Sequence, residues 1–238
     1  MKTFQDELFF FLEKIEKNEP FSLSRFGDGE LAIIRDESID LSEKFNGEHK
    51  YVKGEKKYQP ARERLIESLT WECDGYYVGI PCRCCVGDKK HDDLRKQYFN
   101  SEKHLTWANI FVNANYHNFR KHFFKAISSK DVYFIGNKNA KTENIDIEIK
   151  KHFKVGKNSW INDLDIIEDV KKDANNNKNV VFLFAAGVLS NIAVRELHEY
   201  NNKNFYIDIG STLDVDLDLG ETRLYLKGGQ TLNKICVW

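Results

Sequence analysis

An α/β fold with a mainly parallel sheet and helices on both faces is what this chain of 238 residues predicts. Three observations point there. Short apolar runs alternate with helix-length amphipathic segments along most of the chain. One run, Val180 to Ala185 (Val-Val-Phe-Leu-Phe-Ala), is apolar without interruption, as expected of a strand buried on both faces. Hydrophobic residues make up 41% of the chain, with 17 Phe and 10 Tyr, enough to cover both sides of a sheet. The length suits one domain over residues 1–238, with 211–238 forming a terminal lobe or lid.

The elements follow in order. Phe4 to Lys17 places Phe4, Leu8, Phe11, Leu12 and Ile15 at the helical period, and Pro20 closes that segment. Phe21 to Ser24 reads as a short strand, and Leu31 to Arg35 as the opening of a second helix. Residues 36–59 are polar and read as a mobile loop or an irregular excursion. Ala61 to Cys73 is helical, with Leu65, Ile66 and Leu69 on one side. Tyr76 to Ile80 is a strand stopped by Pro81, Asp92 to Lys103 a helix, and Ala108 to Val112 another strand. Phe119, His122, Phe123, Ala126 and Ile127 mark an amphipathic helix before the strand Asp131 to Gly136. A short strand at Phe153 to Val155, a helix at Leu164 to Lys172 and the run at 180–185 come next. Ala186-Gly187 then opens a helix from Val188 to Tyr200, and Phe205 to Ile209 is a further strand. The Asn/Lys-rich stretch 173–179 is a polar loop inside this alternation, and no internal repeat is present. Thr222 to Trp238 either folds over a ligand or packs on the sheet edge, and its aromatic content favours packing.

Bulk properties exclude several classes. Thirty-six basic and 37 acidic residues leave a net charge of −1, so no global field suggests nucleic acid. No apolar run approaches a membrane span, and the first residues lack the layout of a signal peptide. The expectation is a cytoplasmic protein without a transmembrane segment, its oligomeric state unread. The five cysteines suit thiols better than a disulfide scaffold. Cys82, Cys84 and Cys85 cluster, but Cys-x-Cys-Cys departs from the usual zinc spacing. They read as small residues in a loop after a strand.

Parallel sheets bind ligands beyond the carboxyl ends of their strands. The segments following each strand therefore map the candidate site: Arg25 to Glu30, Cys82-Arg83, Asn113 and Asn115, Asn137 to Asn139, Ala186-Gly187, and Asp208 with Asp214. Asp28 and Glu30 lie one residue apart in Arg25-Phe26-Gly27-Asp28-Gly29-Glu30. Such a pair either holds a hard divalent cation, Mn²⁺ or Mg²⁺, together with substrate phosphates, or is an acidic first helical turn. Gly187 either frees helix N–H groups for an anion or allows close packing. Asn113 is a sugar or base contact or a turn former, and Lys138 a phosphate partner or a solvated charge. Asp214, Asp216 and Asp218 alternate, as charges on an exposed edge do. No Gly-x-Gly-x-x-Gly and no Gly-x₄-Gly-Lys-Ser/Thr occur.

With these motifs in this order, the chain resembles the GT-D family of glycosyltransferases. The resemblance rests on Ser24 to Glu30, Ile110 to Asn113, Ile135 to Ala140, Phe184 to Leu189 and Ile207 to Gly210, the first and last being the specific ones. It implies a Rossmann-like sheet and a cation, held by Asp28 and Glu30, that grips a nucleotide-sugar diphosphate. Arg25, Gly27 and Gly29 would then shape the nucleotide pocket. Two departures concern the acceptor side: Ala186-Gly187 stands where the family often has Gly-Pro, and Ser211 where it often has His.

The expected function is a metal-dependent transfer of a sugar from a UDP-sugar to a glycan or glycoconjugate hydroxyl. Arg83, Lys138 or Arg223 would add charge stabilisation, and Asp208 and Asp214 are the candidate bases. The alternatives are a non-catalytic nucleotide- or glycan-binding module and a phosphate-ester hydrolase, the latter lacking a second carboxylate cluster for two metals.

Overall fold

The computed structural model describes residues 2–41 and 49–227. Its helices are α1 (Phe4–Glu16), α2 (Asp28–Ile34), α3 (Gln59–Thr70), α4 (Arg83–Val86), α5 (Asp88–Tyr98), α6 (Tyr116–Ile127), α7 (Ser159–Asn162), α8 (Ile166–Asn175) and α9 (Val188–Tyr200). Its strands are β1 (Ser22–Arg25), β2 (Ile39–Asp40), β3 (Lys50–Tyr51), β4 (Tyr76–Ile80), β5 (Leu105–Trp107), β6 (Val132–Asn137), β7 (Ile149–Val155), β8 (Val181–Ala185) and β9 (Phe205–Asp208). Seven of them form one sheet in the order β5-β4-β1-β9-β8-β6-β7, with every neighbouring pair parallel. The predicted α/β class, parallel and Rossmann-like, is the observed one.

Alternation along the strands divides the core. In β8, Phe182 and Phe184 point to one face, while Val181 and Leu183 point to the other. The first face packs against α3, α7, α8 and α9 through Leu65, Leu69, Trp160, Val170, Ile192 and Leu197. The second packs against α1 and α6 through Leu8, Phe11, Phe119 and Phe123. Both faces of every central strand are thus removed from water, which is why the run at 180–185 carries no polar residue.

Three expectations change. Ala108 to Val112 is not a strand: β5 ends at Trp107, and Ile110 and Val112 turn back to the carbonyls of Trp107 and Asn109. Ile110 and Phe111 are apolar because they are buried under the sheet's second face, not because they pair. The segment 36–59 is not loop throughout; β2 and β3 form a small antiparallel pair, and Leu41 N–H donates to the His49 carbonyl. Residues 42–48 lie outside the described residues. Strand β7 is longer than expected, because an edge strand tolerates the exposed Lys150, Lys151 and Lys154.

One polar bolt ties the first face together. His198 in α9 is buried, its Nδ1 accepting from the Ser22 hydroxyl at 2.8 Å and its Nε2 donating to the Asp74 carbonyl at 3.2 Å. The rings of Trp71 and Tyr76 stand 5.6 and 5.9 Å away. Burial depresses the His198 pKa from 6.5 to about 4. A depressed histidine stabilises the fold above its unfolded pKa and loses that contribution as pH falls toward the folded value. Between pH 7 and pH 4 the parent should therefore lose about 3 kcal/mol relative to His198→Gln, at 1.36 kcal/mol per pKa unit. Urea unfolding of the two proteins across that range checks it, and parallel curves would refute it.

Candidate functional site

The carboxyl ends of the strands enclose a cavity of about 450 Å³, within the range of small-molecule sites. It begins where β1 hands over to α2. The helix starts at Asp28 rather than Leu31, so Asp28 and Glu30 both occupy its first turn, where the positive end of the helix favours anions. Glu30 folds back so that Oε2 accepts the Gly27 N–H at 2.9 Å, and Asp28 Oδ1 accepts the Gly29 N–H at 3.1 Å. Gly29 has a steric reason: a Cβ there would stand 2.5 Å from His49 Nε2.

Beside β1 lies β9, whose last residue, Asp208, is only 6% exposed. Its Oδ1 accepts from the Gly210 N–H at 2.9 Å, and its Oδ2 from the Arg25 N–H at 3.3 Å. The Arg25 guanidinium stands 3.8 Å from Oδ1, donates to the Ala108 carbonyl at 2.9 Å and covers the Phe111 ring at 5.4 Å. Gly210 has φ +52°, and a Cβ on it would fall 2.4 Å from an Arg25 nitrogen, so glycine is demanded there twice over. Asn191 of α9 secures the same strand end, donating to the Arg25 carbonyl at 2.9 Å and the Ser24 hydroxyl at 3.1 Å.

The acids feel one another. Burial pushes the Asp208 carboxyl up to about 6; Arg25 opposes this and the Glu30 charge adds to it. Glu30 is half-buried as a residue, with its carboxyl the enclosed part. Burial raises its pKa, the Asp28 charge contributes in the same direction, and N–H groups of the helix start together with Arg25 pull it back.

Gly187, with φ +57°, caps the 13-residue α9 across the cavity. The remaining wall comes from residues 210–227. Asp214 accepts from the Thr222 hydroxyl, and the Tyr225 hydroxyl meets Ser211 Oγ at 2.8 Å. Burial pushes the Tyr225 hydroxyl up to about 12. Arg223 also lines the cavity. Leu213 and Leu217 anchor this segment on the sheet's second face, and residues 228–238 lie outside the described residues.

The cavity wall therefore brings together Arg25, Gly27, Asp28, Gly29, Glu30, Gly187, Asp208, Asp214 and Arg223. Arg83, Asn113 and Lys138 lie outside it. Arg83 sits in α4, paired with Asp88 at 3.2 Å and Asp92 at 2.8 Å. Asn113 follows the turn that replaces the expected strand, with φ +51°. Lys138 is exposed beyond β6. Their near neighbours Cys85, Asn109 and Asn137 line the cavity. His49, Ser159 and Tyr225 also line it, without any motif to mark them. Asp216 and Asp218 are engaged elsewhere, with Arg120 and with Lys141 at 2.6 Å.

Oxygen donors of the Asp28–Glu30 turn suit a hard divalent cation, and the raised pKa values of Glu30 and Asp208, each pushed up by burial and by a neighbouring acid's charge, mark a shortage of positive charge. Among the described residues the cavity acids do not form a group of three with donor atoms within 4.8 Å of one another. A cation there would take one or two carboxylates and complete its shell with substrate or water, the habit of Mg²⁺ and Mn²⁺.

A family profile described as a GT-D fold-like domain matches residues 9–215. The chain belongs to this GT-D-like family. Among solved structures, it resembles one described as a new glycosyltransferase from Streptococcus sanguinis, of the domain of unknown function 1792. The TM-score is 0.63 at 16% identity, covering 89% of this chain and 81% of that one. A second, described as that domain having a distinct glycosyltransferase fold, gives 0.59 at 16% identity over 86% and 77%. A third, a selenomethionine-substituted structure of the same domain, gives 0.62 at 16% identity over 86% and 77%. No curated protein matches the chain. At this identity the structural likenesses speak to the fold, and they agree with the parallel sheet described above.

The Asp208 shift has a measurable consequence. Its folded pKa, about 6, exceeds the ordinary aspartate value of 3.8. Its stabilising contribution is thus complete below the unfolded pKa and lost as pH rises through the folded one. Relative to the parent, Asp208→Asn should gain about 2 kcal/mol between pH 4 and pH 7, at 1.36 kcal/mol per unit. Urea unfolding with a chelator present measures this, and a difference independent of pH would remove the buried-acid assignment.

Proposed function

We propose that this GT-D-like protein is a glycosyltransferase, moving a sugar from a UDP-sugar to a hydroxyl of a glycan or glycoconjugate. The observation that carries the reading is the convergence on one cavity of an acidic first helical turn, the start of α9 and a buried carboxylate of raised pKa. The family membership and the glycosyltransferase descriptions of the structural neighbours support it.

The start of α9, opened by Gly187, would face the diphosphate with free N–H groups and the positive end of the helix. Asp28 and Glu30 would hold Mn²⁺ or Mg²⁺, which when bound supplies Lewis-acid assistance to departure of the diphosphate. Arg25 keeps Asp208 in place and moderates its charge rather than reaching for substrate, since its guanidinium already meets Ala108 and Asp208. Asp208 would take the acceptor's proton. The acceptor oxygen then bonds to the anomeric carbon as the bond from that carbon to the diphosphate oxygen breaks, its electron pair leaving with UDP. Asp214 is the second candidate base, held by the Thr222 hydroxyl. Residues 211–227 would cover the acceptor end and limit hydrolysis by water.

Asp28→Ala and Glu30→Ala should each lower UDP release from a donor panel by at least about a hundredfold, as loss of several kcal/mol of charge stabilisation requires. Circular dichroism should remain that of the parent. Unchanged turnover in both variants would overturn the metal assignment. Mn²⁺-dependent UDP binding by the parent, without turnover on any acceptor, would favour a binding module.

A further inference from the structure

We infer that Cys82, Cys84 and Cys85 form a three-thiolate site for a thiophilic d¹⁰ cation of the Zn²⁺ class, beside the same cavity, whose wall includes Cys85. Within Cys82-Arg83-Cys84-Cys85, the outer pair has Cys-x₂-Cys spacing, which the intervening Cys84 disguises. These residues form the start of α4 rather than a loop, and the helical turn brings the sulfurs together. Cys82 Sγ lies 3.1 Å from Cys84 Sγ and 3.3 Å from Cys85 Sγ, and all three converge within 4.8 Å. Thiolates arranged tetrahedrally around zinc, at about 2.3 Å each, stand about 3.8 Å apart. Small side-chain rotations reach that arrangement.

The surroundings are built for sulfur. Cys82 is fully buried, while Cys84 and Cys85 are exposed, giving a closed floor and an open entry. The Asn109 amide donates to Cys82 Sγ at 3.3 Å and approaches Cys85 Sγ at 3.9 Å, a second layer that orients and moderates thiolates. His91, buried in α5, holds the Pro81 carbonyl through Nδ1 at 2.9 Å and so fixes the residue preceding Cys82. On binding, each thiol gives its proton to the buffer, a sulfur lone pair bonds the cation, and water leaves the ion; nothing is oxidised. Three protein ligands leave a fourth position, and Cys85 and Asn109 both line the cavity, so that position lies on the cavity side. Soft sulfur and hard oxygen donors select different ions, which keeps this site distinct from the Asp28–Glu30 turn. The inference stands independently of the transferase reading.

Cadmium, a spectroscopic stand-in for zinc, tests it on the reduced full-length chain through the sulfur-to-cadmium charge-transfer band. One Cd²⁺ per chain should bind, and Zn²⁺ should displace it. Cys85→Ser, at an exposed position, should weaken binding by at least about tenfold with the circular dichroism unchanged, and Cys82→Ser should abolish the band. Cys73→Ser combined with Cys236→Ser, and separately Asp28→Ala, should leave it intact. No band in the parent, a band retained in both Cys82→Ser and Cys85→Ser, or loss of the band in Asp28→Ala would each overturn the inference.

Discussion

Two enclosed carboxyl groups, Glu30 and Asp208, share the field of a single guanidinium, Arg25, and the rim is organised around that shortage of positive charge. Arg25 is itself held by the Ala108 carbonyl and the Phe111 ring, so it cannot swing to serve either acid more fully. Taking a carboxylate out of water is tolerated only where hydrogen bonds or opposite charge compensate. Here the compensation comes from N–H groups of Gly27, Arg25 and Gly210 and remains incomplete. The cavity is therefore poised for a cation or a proton before any substrate arrives.

That electrostatic arrangement follows from backbone geometry. A parallel sheet sends every strand's carboxyl end to the same edge, and the adjacency of β1 and β9 sets Arg25 beside Asp208. Small residues do the rest. Gly29 leaves room for the His49 ring, and Gly210 adopts a left-handed turn against Arg25, where any side chain would have to displace the guanidinium. Chemistry on the rim is thus specified as much by where side chains are missing as by where they are present.

The alternation of strands and helices was legible because burial on both faces leaves a plain hydrophobic signature: α9 and β4 have their predicted bounds, and β8 differs by one residue. Segments that serve the core without pairing, such as 108–112, carry the same signature and misled. Edge strand β7 carried too little of it and was read short. At the site, the acidic turn and Asp208 were readable as strand-end motifs. His49 and Tyr225 were not, since neither directly follows a strand of the seven-stranded sheet. Arg83 attracted attention by its charge, yet two aspartates near it in sequence claim that charge.

The sheet order has a bearing on how the molecule is born. β1 precedes the other strands of this sheet in the chain, yet one of its two neighbours is β9, so the middle of the sheet stays open until nearly the whole domain has been synthesised. Pairings this distant along the chain are slow to form and leave apolar strand edges exposed meanwhile. The half built from β1, β4 and β5 must wait beside the half built from β6, β7 and β8, and the last strand joins them. Arg25 meets Asp208 only at that closing step, so the working end of the protein comes into being together with its completed fold.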